Sequence, residues 1–191
     1  MKIALRLAAI LVAVALGAGT MGAAHADGPK TDRRVVAAIE AQPWVVLQQG
    51  DTGYRVTSAR CFLTQFGFFD DCRTDADTFD AELAAAVGRY QDARDLPRTG
   101  RIDAETWLAM RYDHGVAGPG DRRSHLVRGL QHALNMLGDA IPVDGIYGSR
   151  TTTAVRNFQT RKSIDSDGLV GPITFRAMFA EGAEAARTPG L

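Results

Sequence analysis

Displaced by 68 residues, the sequence lies over itself. Phe79 falls on Tyr147, Ala86 on Ala154, Val87 on Val155, Tyr90 on Phe158 and Gln91 on Gln159, with no gap. The register continues through Gly100 and Gly168, Ile102 and Val170, Thr106 and Thr174, Trp107 and Phe175, and Met110 and Met178. Upstream the offset becomes 71, pairing Val56 with Val127, Leu63 with Leu134, Phe66 with Leu137 and Gly67 with Gly138. The first copy therefore carries three extra residues between Gly67 and Phe79. Such a repeat constrains the fold before any local signal does, because each copy must be one supersecondary unit with one buried face.

Within a copy the apolar spacing is helical. Val56, Ala59, Leu63 and Phe66 form a stripe that Val127, Leu130, Leu134 and Leu137 reproduce. Gly67 and Gly138 then stand where helix C-termini place glycine. A second helix has Leu83, Val87 and Tyr90 on one face in the first copy, and Ala154, Val155 and Phe158 in the second. Asp80 and Ser149 are expected to cap its N-terminus. A third, short helix starts at Asp103 in one copy and at Gly171-Pro172 in the other, sending Trp107, Met110, Phe175 and Met178 inward. Each copy is a unit of about 60 residues, close to the lower size limit for folding alone, so the two are expected to pack together. The stretch Arg33–Ile39 suggests an additional helix ended by Pro43 and Trp44.

The chain opens with Lys2, Arg6, an apolar run from Leu7 to Leu16 and the small pattern Ala24-His25-Ala26, the signature of a signal peptide cleaved after Ala26. The apolar run is shorter than the roughly 20 residues of a membrane span, so the mature chain is expected to begin near Asp27 and to be secreted, with no membrane association. Loss of Lys2 and Arg6 from 22 positive and 22 negative residues leaves 20 against 22. Nucleic acid is not an expected partner of so neutral a chain. In an exported protein the two cysteines, Cys61 and Cys72, read as a disulfide. Closing so short a loop is worth on the order of 3 kcal/mol, and it staples the segment enlarged in the first copy.

The fold class that follows is all-α: two tandem three-helix bundles after a cleaved signal peptide. The expected divisions are a signal peptide over 1–26, a lead-in over 27–46, a first repeat over 47–112, a polar linker over 113–124, a second repeat over 125–181 and a frayed tail over 182–191.

The second copy resembles the type 1 peptidoglycan-binding domain of bacterial wall hydrolases. The resemblance rests on Val127, Leu130 and Gln131; on Asp144, Gly145, Tyr147 and Gly148; on Phe158 and Gln159; and on Asp167, Gly168, Val170, Gly171, Pro172 and Thr174. The first copy is a degenerate member, with Asp77 and Asp80 where the second has Gly145 and Gly148, and Arg60 in place of the glutamine. A side chain where backbone φ must be positive costs about 1 kcal/mol or more, so that turn must take another shape. The two resemblances span roughly Leu47 to Ala180.

Peptidoglycan, through its stem peptide or its glycan, is the partner the resemblance implies, with an exported wall hydrolase as the alternative partner of an interaction module. The candidate ligand residues are Asp144, Tyr147, Arg150, Thr151 and Asn157. Arg150 with the Ser149 and Thr151 amides at a helix start suits a stem-peptide carboxylate. Each also has a structural reading: Tyr147 and Phe158 as core aromatics, Asp144 and Asp167 as bracing for their own turns, Thr151 and Thr174 as local hydrogen-bonding groups. No catalytic residue, metal or cofactor is expected. His114, His125 and His132 show no His-Glu-x-x-His pattern, Asp165 to Gly168 reaches Thr174 where a calcium loop needs glutamate, and Asp70 and Asp71 lack a cleft to work across. No Gly-x-Ser-x-Gly or phosphate loop occurs.

Overall fold

The computed structural model describes residues 27, 28 and 30–191; the leader expected over 1–26 lies outside them. Among the described residues the chain forms α1 (Arg33–Glu40), α2 (Tyr54–Gln65), α3 (Ala81–Asp92), α4 (Ala104–His114), α5 (Ser124–Met136), α6 (Ser149–Arg161) and α7 (Pro172–Phe179), joined by isolated bridges rather than by any sheet. Helices α2 to α4 make one bundle and α5 to α7 the other, and the all-α tandem architecture is the one the repeat predicts. None of these helices is long and apolar enough to cross a membrane.

The bundles meet along α2 and α5. Ser58 donates its hydroxyl to the Gly129 carbonyl at 2.9 Å. Those residues are 71 apart, the offset of the repeat, so the helices cross at equivalent positions and the copies are related by an approximate two-fold. A Cβ on Gly129 would come within 2.8 Å of the Phe62 ring and 3.2 Å of the Ser58 carbonyl oxygen, so glycine there permits the approach. The apolar stripe understates α2, which also buries Tyr54, Ser58 and Phe62 against the other copy, and Arg60 and Cys61 against its own copy's enlarged loop. Behind the crossing one aromatic cluster is shared by both bundles. Phe62 meets Phe179 at 5.4 Å, Trp107 stacks on Phe179 at 5.5 Å, and His114 lies 4.9 Å from Phe175.

Within the polar stretch 113–124, expected as a linker, Asp113 and His114 close α4, and the residues from Ala117 onward are fastened to the second copy. Ala117 exchanges backbone hydrogen bonds with Val170 at 3.1 and 2.8 Å, as Leu47 does with Ile102 at 2.9 and 2.8 Å. Gly120 N–H donates to Tyr147 O just as Gly50 N–H donates to Phe79 O. Arg123 fastens the stretch further by donating to the carbonyls of His114 and Val116.

Both ends of the described chain fold back on the second bundle. The Asp27 carboxylate, 146 residues away in sequence, accepts the N–H groups of Ile173 and Thr174 at 2.7 and 2.8 Å. It thereby caps α7, whose own N-cap, Gly171, has no side chain. Helix α1 lies on α7, with Arg176 donating to the Glu40 and Gln42 carbonyls and stacked 4.1 Å above Trp44. The tail expected to fray after Gly182 is wrapped around Lys162, whose ammonium donates to the Gly182 and Ala185 carbonyls at 3.1 and 2.6 Å. Burial pulls this ammonium down to about 8. Apolar periodicity gives no sign of this docking, because main-chain carbonyls make the contacts.

Candidate functional site

Each copy turns its corners on a buried side chain from the preceding helix. In the second copy Gln131, on α5, donates to the Asp144 carboxylate at 2.8 Å, the Ile146 carbonyl at 3.1 Å and the Thr151 hydroxyl at 3.0 Å, and accepts Gly145 N–H at 2.8 Å. Gln159, on α6, repeats the set at the next corner with Asp167, Leu169, Thr174 and Gly168. Gln91 does the same in the first copy with Thr99, Arg101, Thr106 and Gly100. One amide thus satisfies an acceptor, a carbonyl, a hydroxyl seven residues further on and the N–H of the turn glycine, groups that would be costly to leave buried and unpaired. Gly145 holds φ +78 with its missing Cβ 2.9 Å from the Ser124 carbonyl oxygen, so the corner excludes any side chain.

The remaining corner departs from this scheme as Asp77 implies. Arg60 occupies the glutamine's place, buried to 2 % exposure. It donates to the Thr78 carbonyl at 2.9 Å, the counterpart of Ile146, and pairs with Asp71 and Asp80. Its guanidinium rests 5.2 Å from the centre of the Phe69 ring. The Cys61–Cys72 disulfide ties the enlarged loop to α2 one residue further along.

Beside the first corner of the second copy lies a groove of about 440 Å³ between α6 and the segment Asp139–Pro142, with Ser149, Arg150, Thr153 and Asn157 along one wall. A smaller cleft of about 220 Å³ continues it past Pro142 and Arg150 to Asp144 and Ile146. The segment wall is built, not loose: Asn135 holds Ile141 through both its amide atoms at 2.8 Å, and Arg161 holds Asp139 at 2.7 Å. Ile146 stands 65 % exposed at the rim.

The helix that borders the groove starts without a cap. Gly148, in extended backbone, is the N-cap of α6, and Ser149, expected in that role, is the first helical residue. The N–H groups of Ser149, Arg150 and Thr151 make no hydrogen bond within the described protein. By contrast Asp80, Asp103 and Asp27 bring carboxylates to the starts of α3, α4 and α7. The unpaired start of α6 and the Arg150 side chain therefore border the groove and its adjoining cleft, a setting that favours an anion.

The candidate ligand residues divide into two groups. Arg150 and Asn157 line the groove together, and Asp144 lines the adjoining cleft. The Asp144 carboxyl is held below the usual carboxylate range by the Gln131 amide and the Ile146 N–H. Thr151 also lines that cleft, whereas Tyr147 lines neither hollow, and its expected ligand role is corrected. Tyr147, 2 % exposed, donates its hydroxyl to the Gly168 carbonyl at 2.9 Å, and burial raises its pKa. The Thr151 hydroxyl is spent between Gln131 and the Ile146 carbonyl. Gln131, Gln91 and Gln159 make the corners, and the signal that identifies them in this role is the threonine each one reaches, seven residues past the turn start. Among the described residues no group of three His, Cys, Asp or Glu side chains is placed to hold a metal.

Paired three-helix bundles, each turning on buried polar pins, define a class of tandem helical repeat with a shallow polar groove outside the core. A family model described as "Putative peptidoglycan binding domain" matches residues 52–110 and 123–178, one match in each bundle, and the chain belongs to this family. The chain is also similar to the N-acetylmuramoyl-L-alanine amidase CwlM of Mycobacterium tuberculosis, 30 % identical over 154 residues that make up 70 % of this chain and 37 % of that protein. The match thus spans little more than a third of that relative. No solved structure matches the chain.

Proposed function

We propose that the protein is a secreted, non-catalytic binder of cell-wall peptidoglycan that takes a carboxylate of the stem peptide into the second-copy groove. The observation that carries this reading is the uncapped start of α6 beside Arg150, within a family of peptidoglycan-binding domains. The carboxylate accepts from the Ser149, Arg150 and Thr151 N–H groups and pairs with the guanidinium, while Asn157 serves an amide of the same peptide. The apolar floor at Ala154 and Pro142 receives the small side chains of such a stem.

Retention of the mature protein on purified insoluble peptidoglycan tests the proposal. Arg150→Glu is expected to lower retention at least tenfold at physiological salt, as reversal of a charge that touches the ligand should. Recovery of the wild-type protein in the supernatant at both low and physiological salt sinks the reading.

A second reading is favoured by the relative: an amidase matched over a third of its length suggests that such a pair of bundles serves a wall hydrolase. On this reading the protein targets or regulates an exported hydrolase made as a separate chain. Co-purification of a stoichiometric hydrolase from culture, with no retention on bare peptidoglycan, separates it from the first.

A further inference from the structure

The groove described above has a counterpart in the first copy. At the same place between α3 and the enlarged loop lies a cavity of about 350 Å³, lined by Phe69, Asp70, Asp71, Glu82, Ala85 and Arg89. Shifted by 68, Glu82, Ala85 and Arg89 are Arg150, Thr153 and Asn157. Both copies thus keep the hollow, on the same helix face and at the same three positions, but the side chains around it have changed sign.

In the second copy the helix start offers free N–H groups and Arg150. In the first, the start of α3 is already taken by Asp80, whose carboxylate accepts Leu83 N–H at 2.7 Å and pairs with buried Arg60. Glu82 stands where Arg150 would be, and the loop wall contributes Asp70 and Asp71. Asp71 is neutralised by Arg60 and Arg73, which leaves Asp70 and Glu82 as the carboxylates lining the hollow that have no ion-pair partner among the described residues. Arg89 is the cation on this wall, and it donates to the Phe68 carbonyl at 2.9 Å. A carboxylate entering here meets two like charges and a helix start where the Asp80 carboxylate already sits, an arrangement that refuses a ligand rather than merely failing to attract it.

We infer that the two grooves discriminate by charge: the second admits a carboxylate-bearing wall peptide and the first excludes it, with Arg150 and Glu82 as the specificity-determining pair. Each chain then takes one stem peptide, not two. This rests on the reading of the second groove as a carboxylate receptor and adds to it the stoichiometry and the residue that enforces it.

The test is a chemical-shift titration of the intact mature protein with a soluble muropeptide carrying the full stem peptide. In the wild type, perturbations are expected along 139–157 and not along 69–89, with one site per chain. Glu82→Arg combined with Asp70→Asn alters two exposed side chains that hold no core contact and leaves Asp71 to pair with Arg60. That double variant is expected to gain perturbations along 69–89 and a second site at least tenfold tighter than the wild-type first groove. Perturbation of both grooves in the wild type, or a first groove that stays silent in the folded double variant, overturns the charge gate while leaving the second groove as receptor. Perturbation of neither groove in the wild type overturns the receptor reading itself.

Discussion

His114 lies against Phe62 and Phe175 with Nδ1 3.0 Å from the Gly115 carbonyl oxygen and Nε2 without a partner. Burial pushes its pKa down to about 4 from 6.5. The unfolded chain therefore binds this proton more readily than the folded one, and stability is complete above about pH 6.5 and declines as pH falls towards 4. The loss is on the order of 3 kcal/mol over that window. The lowered carboxylates of Asp121 and Asp144 lose their contributions only at still lower pH. Chemical denaturation at a series of pH values checks the slope, and His114→Gln is expected to flatten it. Gln131 offers a second test. Its replacement by Leu strands the Gly145 N–H inside the second copy and removes the donor to the Thr151 oxygen, at a cost of about 2 kcal/mol in denaturant midpoint experiments. The sequence marks Asp144 and Tyr147 as motif positions. It could not say that the Tyr147 hydroxyl turns inward, because a phenol serves a buried carbonyl as readily as a ligand.

Between elements, the contact that decides most is the crossing of α2 and α5. Gly129→Ala adds about 1 kcal/mol of helix propensity, yet its Cβ would press on Phe62 and the Ser58 carbonyl. A net loss in thermal stability is therefore expected, and a rise would show that the crossing tolerates separation. Helix α7 depends on the far end of the chain for its cap. Asp27→Ala is expected to lower stability by about 1 kcal/mol and to speed amide exchange at Ile173 and Thr174, whose N–H groups lose their acceptor. The helices themselves were legible: the stripes, Asp80, Asp103 and the Gly171-Pro172 start all appear where the apolar and capping signals put them. What binds one helix to another was less so. Gly129 looks like a weak spot in a helix until its opposite number is known, Arg60 looks like a worn position until it is seen holding a corner, and no spacing rule links Asp27 to Thr174.

At the scale of the whole molecule, the two copies share one core but not one surface. Burial is common property: Phe62 from the first and Phe175 and Phe179 from the second sit in a single aromatic cluster. Outside that core the copies have diverged, with glutamine and glycine at one corner answered by Arg60, a disulfide and acidic side chains at the other. The tandem order was legible because identical spacing leaves a trace in the sequence; the back-to-back arrangement was not, because a face covered by a twin and a face covered by a bundle's own helices have the same apolar composition. The crossing of Ser58 with Gly129 has a practical sequel. A seam that joins like to like is self-complementary, so a fragment bearing only the second copy would carry a sticky α5 with nothing to cover it. Sedimentation of such a fragment should reveal pairs rather than single chains, so a binding stoichiometry measured on it would not carry over to the intact chain.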